Sequence, residues 1–245
     1  MKPYSVLGVK IHDTSYKECL DFIDSSIQKA EKIQICTTNN EFIVEAQKNP
    51  KFKKIINQSN ISTPDSTGVV WAIKKLFGTK VERITGIDLF LKLCQQAADK
   101  KYRIFLLGGS RNTALKAKKN LQRKFPGIHI VGYIDGIPID PKKQDDVLIS
   151  RINRARPDII AVALGAPKQE LWIKKNMKML NAKIFMGLGG SLDYIAGTVP
   201  RAPHLLRAAG IEWLFRLIVQ PKRIKRIAIA VIVFPYMVIA ESLKQ

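Results

Sequence analysis

Apolar positions along this chain follow two periods in turn. Short β-branched runs recur at 5 to 11, 33 to 38, 60 to 63, 103 to 109, 128 to 134, 158 to 165 and 183 to 190, and each reads as a strand. Between them, apolar residues return at helical spacing near 15 to 30, 40 to 48, 50 to 58, 67 to 77, 87 to 99, 111 to 124, 143 to 155 and 168 to 179. The runs "IFLL" and "IIAVAL" are apolar almost throughout, as strands covered on both faces are. The expected fold is α/β: a Rossmann-like, doubly wound, mostly parallel sheet.

The pattern changes after residue 200. In "IEWLFRLIVQPKRIKRIAIA" basic residues interleave with Trp, Phe, Leu and Ile, and "PKRIKR" sets four cations in six residues before the uncharged run 227 to 240. That run is shorter than the roughly 20 residues a spanning helix needs, and it contains Pro235. We therefore divide the chain into a core over 1–200 and a basic, apolar, membrane-associating helical appendage over 201–245. On a continuous helix Arg216, Arg223 and Arg226 lie along one side, a continuity that Pro221 puts in question. The other reading of the appendage is a covering layer on the core or a subunit interface in a homo-oligomer.

Composition narrows the partners. The 245 residues carry 41 Lys and Arg against 20 Asp and Glu, with only eight of the cations after residue 200, so the basic excess belongs to the whole chain. Such a field favours an anionic partner: nucleic acid, an acidic membrane surface or a phosphorylated small molecule. Nucleic acid explains the charge but neither the glycine-rich strand ends nor the uncharged tail, and it is not expected as a partner. Cys19, Cys36 and Cys94, like His12, His129 and His204, are scattered, which indicates neither a disulfide framework nor a metal site. The opening "MKPYSVLGVKIHD" holds no apolar run of signal-peptide length, so a cytoplasmic location is expected. No GxGxxG fingerprint occurs, and no cofactor is expected.

Ligands of such sheets bind beyond the carboxyl ends of the strands. Thr37, Thr38 and Asn39, then Pro64, Asp65 and Ser66, Gly108 to Ser110, Gly165 to Gln169, and Gly187 to Ser191 fall there. Gly108-Gly109 and Gly189-Gly190 each join a strand to a helix start, where N–H groups either hold a phosphate or merely make a tight turn. Asp65 is a candidate general base or an N-cap for a helix over 66 to 76. Thr37 and Asn39 either hydrogen-bond a ligand at the strand end or cap the helix that begins near Asn40.

Taken in order, "TPDSTGVVWA", "RITGIDL", "IFLLGG", "FPGIHIVGYIDG", "PDIIAVALGAPKQELWI", "GLGGSLDYIAG" and "RAPHLLRAAGIEWLFRLIVQPKRIKR" resemble the TagA/WecG/CpsF family of bacterial glycosyltransferases over nearly the whole chain. The chain departs from the family pattern at Asp65-Ser66, where Asp-Gly is usual. The resemblance implies transfer of N-acetylmannosamine from a UDP-sugar to undecaprenyl-diphosphate-linked N-acetylglucosamine, with an N-acetylmannosaminuronic acid donor in another branch. A non-catalytic lipid-binding scaffold is the rival reading.

The resemblance also implies roles for residues. Asp65 is then the catalytic base, and Thr37, Asn39, Arg83, Gln169 and Asp193 face the substrate. Arg83 otherwise pairs with Glu82 or Asp88, Asp193 otherwise caps a turn, and Glu170 is expected to meet a surface lysine. The chain has no Asp-x-Asp pair, so arginines and helix N-termini are expected to take a metal's place at the departing diphosphate. Arg216, Arg223 and Arg226 are candidates for binding that diphosphate and the anionic membrane surface together.

Overall fold

The computed structural model describes residues 1–141 and 145–244. The chain begins with β1 (Lys2–Val6), β2 (Val9–Asp13) and α1 (Tyr16–Gln28), followed by β3 (Ile33–Thr38), α2 (Asn40–Lys48), α3 (Pro50–Gln58) and β4 (Ile61–Pro64). Next come α4 (Thr67–Phe77), α5 (Gly86–Lys100), β5 (Arg103–Gly108), α6 (Thr113–Lys124), β6 (His129–Ile134) and α7 (Asp146–Arg154). The α/β part closes with β7 (Ile159–Ala163), α8 (Lys168–Asn176), β8 (Ile184–Gly187) and α9 (Ser191–Ala196). Of the helix expected over 143 to 155, positions 143 and 144 lie outside the described residues.

Six strands form one parallel sheet in the order β4-β3-β8-β7-β5-β6. Alternation along the central strands explains why helices cover both faces. Ile104, Leu106, Ile159, Ala161, Ile184 and Met186 point into one core with α1, α5 and α6. Their neighbours Phe105, Leu107, Ile160, Val162 and Phe185 point into another, with Leu148, Ile152, Trp172 and Ile173 of α7 and α8.

The single strand expected over 5 to 11 is two. Leu7 (φ 51°) and Gly8 (φ 72°) turn the chain left-handed, and β1 and β2 pair antiparallel as a hairpin outside the main sheet. Two consecutive positive φ values match the right-handed twist of a two-residue hairpin. Apolar Leu7 and Val9 flank Gly8, so the local sequence carries no polar turn signal, and the turn is held from outside. Gln47 Nε2 and Lys53 Nζ donate to Leu7 O, and Leu7 N–H donates to Glu241 Oε2.

Past residue 200 the helices are short: α10 (His204–Ala208), α11 (Glu212–Val219), a 3-10 turn Pro221–Arg223, α12 (Ile224–Ala228), a π-helix Ile229–Val233 and α13 (Phe234–Ser242). The three arginines do not share one continuous helix. Gln220 adopts φ −135°, ψ 70° ahead of Pro221, because a residue before proline is pushed out of the helical region. No helix among the described residues is long and apolar enough to cross a membrane. Phe234 and Val238 of α13 are fully buried, in a third core with Val6, Val9, Phe42, Val69 and Ile73. On the outer side Ile232 and Tyr236 are 65% and 73% exposed.

Candidate active site

Asp65 follows β4, and its N–H donates to Thr38 O, which ties the two strand ends together. The helix after it is capped by Ser66, whose Oγ accepts from Val69 N–H. Asp65 is thus free of the capping duty the sequence left open. Its Oδ1 instead accepts the N–H of Gly86, the first residue of α5, at 2.8 Å. Gly86 approaches so closely that a β-carbon there would stand 2.8 Å from Thr37 Oγ1.

A cavity of about 460 Å³ opens at this point, lined among others by Asn39, Asp65, Arg83, Arg201 and Arg216. Apolar side chains line it as well: Trp71, Trp213, Ile227, Val231 and Pro235. Burial raises the Asp65 carboxyl to about 6. The Gly86 N–H and the charges of Arg216 and Arg83 pull the other way, while Glu212 adds to the rise. Arg216 donates through Nε and Nη2 to Glu212 Oε1 at 3.1 and 2.6 Å, and its guanidinium lies 5.4 Å from the Tyr194 ring centre. Burial opposes the Arg216 charge, but Glu212, Tyr194 and Asp65 outweigh it and hold the guanidinium above its ordinary value.

The other candidates sit at varying distance from that cavity. Asn39 lines it and also caps α2, accepting from Phe42 N–H at 3.1 Å. Thr37 is buried against Gly86, just behind the cavity wall. Arg83 does not pair with Asp88, whose Oδ2 accepts from Arg201 Nη2 at 2.7 Å. Gly108 and Gly109 have φ 100° and 87° and do not line the cavity. Gly109 N–H is taken by Ala163 O, the first N–H of α6, at Thr113, by Ser110 O, and the next two, at Ala114 and Leu115, by Asp135 Oδ2.

Gln169, Gly189, Gly190 and Asp193 make a separate shelf beside the cavity, with Arg223 over it. A β-carbon on Gly190 would stand 3.4 Å from Arg223 Nη2 and 3.9 Å from Asp193 Oδ2. Burial raises the Asp193 carboxyl, and Arg223 opposes the rise. Arg226 pairs instead with Glu41, a cavity residue, through Oε2 at 2.6 Å.

Glu170 corrects the expectation of a surface lysine pair. It is 1% exposed, Oε1 accepts from Gln169 Nε2 at 2.7 Å, and burial raises its carboxyl to about 7. Gln169 Oε1 in turn accepts from Gly189 N–H, so a buried relay runs beneath the glycine turn. Arg201 and Glu212 are cavity residues that reading by strand ends missed. Glu212, four before Arg216, was legible as an ion pair on a helix.

Among the described residues, no three His, Cys, Asp or Glu side chains group as a metal site would require. The cavity combines a carboxylate able to take a proton near neutral pH, guanidiniums for a polyanion, and an apolar side. The family model described as "Glycosyl transferase WecG/TagA/CpsF family" matches residues 4–245, and the chain belongs to that family of glycosyltransferases.

Particular relatives carry a finer description. A protein of Bacillus spizizenii (strain W23) is 34% identical over 84% of this chain and 84% of its own length. One of Staphylococcus aureus (strain MRSA252) is 34% identical over 91% of this chain and 87% of its own. Both are named N-acetylglucosaminyldiphosphoundecaprenol N-acetyl-beta-D-mannosaminyltransferase.

Proposed function

We propose that this chain moves N-acetylmannosamine from UDP onto undecaprenyl-diphosphate-linked N-acetylglucosamine, in synthesis of the wall teichoic acid linkage unit. The observation that carries the reading is the placement of Asp65. Its carboxylate shares a cavity with Arg83 and Arg216 and with the apolar side chains of Trp71, Trp213, Ile227 and Val231. Those parts match a hydroxyl to be deprotonated, a diphosphate and a lipid.

In this mechanism Asp65 takes the proton of the acceptor hydroxyl as its oxygen bonds to the anomeric carbon. The bond from that carbon to the UDP oxygen breaks, and both electrons leave with the diphosphate. The Gly86 N–H occupies one Asp65 oxygen, which leaves the other for the proton. One base and one displacement invert the anomeric configuration. Arg216 and Arg223 offset the charge on the departing diphosphate, in place of a divalent metal. Asn39 holds the sugar, with Thr37 packed behind it against Gly86, and Gln169, Gly189, Gly190 and Asp193 hold the nucleotide side.

The acceptor's lipid places the work at the cytoplasmic membrane face, with the chain peripherally bound there. Lys222, Arg223, Lys225 and Arg226 beside the exposed Ile218 and Ile224 support that reading.

The test is UDP release from UDP-N-acetylmannosamine by the full chain, with the lipid-linked acceptor in liposomes and EDTA present. Acceptor-dependent release that Asp65→Asn abolishes is the expected result. Release only from the uronic acid donor would move the chain to another branch of the family. No release from either donor would remove the transferase reading.

A further inference from the structure

Pro235 leaves its mark on the residues before it. Proline has no N–H, and its ring crowds the carbonyl four residues back, so a helix that must pass through it yields locally. Here the yielding stretch is the π-helix Ile229–Val233, in which Phe234 N–H donates five residues back to Ile229 O. The corresponding donor for Ala230 O would be residue 235, which has none to give.

The carbonyl is met from another element. Asn40 Nδ2, at the start of α2, donates to Ala230 O at 2.7 Å. The same carboxamide reaches the opposite way: Asn40 Oδ1 accepts from Ser66 Oγ at 2.6 Å. Ser66 caps α4 and follows Asp65 directly. Gly68 makes the arrangement sterically possible, since a β-carbon there would stand 2.3 Å from Asn40 Nδ2. With a donor required on one side and an acceptor on the other, the amide has one orientation.

The neighbouring tie, Arg226 to Glu41, joins side chains that are 53% and 30% exposed, and such a pair holds weakly. Asn40 is 8% exposed and lines the cavity, so it is the buried link between the two walls.

We propose that Asn40 is a positioning residue that couples the seating of the π-helical segment to the Asp65–Ser66 turn. The carboxylate is then held for proton transfer only while Ala230 lies against α2. This rests on the reading of Asp65 as the base.

The experiment compares Asn40→Ala, Asn40→Asp, Pro235→Ala and the Asn40→Ala/Pro235→Ala pair in the full chain. Asn40→Asp keeps an acceptor for Ser66 and removes the donor to Ala230; Pro235→Ala gives Ala230 O a backbone donor of its own. The readouts are kcat and donor KM for acceptor-dependent UDP release, and amide hydrogen exchange over residues 224–242. Both Asn40 variants are expected to lower kcat about tenfold, with donor KM within about twofold and faster exchange in that segment. The double variant is expected to be no slower than the worse single one, because both changes act on the same acceptor, Ala230 O.

An Asn40→Asp protein with wild-type exchange would overturn the proposal, as would losses that multiply in the double variant. A fall in kcat without a change in exchange would also overturn it, since the effect would then not pass through the segment. If the unaltered chain transfers no sugar from either donor, the transferase reading fails by itself. The exchange measurements still decide whether Asn40 seats the segment.

Discussion

Asp65 and Gly86, twenty-one positions apart, meet through a hydrogen bond of 2.8 Å from the glycine N–H to carboxylate Oδ1. The bond opposes the rise in pKa that burial imposes on Asp65 but does not cancel it, and the carboxyl stays at about 6. A base in that position is ionised at neutral pH yet still basic enough to accept a proton. Activity is therefore expected to rise through about pH 6 and level off above it, measured as kcat/KM with lipid and donor fixed. A profile flat from pH 5 to 8 would remove Asp65 as the titrating base.

The same shift sets a cost in stability. The folded value of about 6 lies above the ordinary 3.8, so ionised Asp65 weakens the fold progressively between those two pH values and fully above the higher one. Asp65→Asn is expected to lose turnover by about 10²–10⁴-fold. At pH 8 it should gain up to about 3 kcal/mol against urea, a gain that disappears below about pH 4.

Gly86 offers a subtler test. An alanine there brings its β-carbon to 2.8 Å from Thr37 Oγ1, and the helix start must move, taking the N–H away from Asp65. Gly86→Ala should retain the fold by circular dichroism and lose kcat. Adding Thr37→Ala relieves the crowding and is expected to recover part of the loss.

His12 governs acid stability from outside the site. Its Nδ1 accepts from Ser62 N–H at 2.9 Å on the edge strand β4, and burial lowers its pKa from 6.5 to about 4, with Lys10 adding to the fall. The neutral ring is therefore favoured in the fold. Its contribution is complete above about pH 6.5 and is lost as pH falls towards about 4, a change of up to about 3 kcal/mol. Urea midpoints across that range in wild type and His12→Phe should show the slope in the first and its absence in the second.

Glu170 separates charge from shape. With its carboxyl raised to about 7, the ionised form is unfavourable in the fold at pH 8, and Glu170→Gln still offers an oxygen to Gln169 Nε2. Glu170→Gln should match or exceed wild-type melting at pH 8. Glu170→Ala leaves the Gln169 donor unpaired beside a void, at a cost of about 2–4 kcal/mol.

What could be read from the sequence follows from how local each signal is. The strands β5, β7 and β8 announce themselves because two covered faces demand continuous apolar residues, and Asp65 stands out by falling at a strand end. The hairpin at Leu7-Gly8 was hidden because Gln47, Lys53 and Glu241, which fix it, lie far along the chain. Arg201 pairs with Asp88 across 113 positions, and no spacing rule reaches that far. Glu170 looked like a surface acid because the short α8 is polar enough to suggest exposure, while the fold buries Glu170 beside Gly187. The break at Gln220 was legible in Pro221, as was the unsuitability of 227 to 240 for spanning a membrane.

The bond between Leu7 N–H and Glu241 Oε2 joins residues 234 positions apart, and Val6 shares its core with Phe234 and Val238. On the ribosome the hairpin emerges before Phe234 and Val238, so their shared core cannot fill until those residues have been made. Contacts of such long range form slowly. The cavity residues Ile227, Val231 and Pro235 are thus made after every strand of the central sheet. A nascent chain can therefore pair all six strands of its central sheet before the residues on that side of the cavity exist.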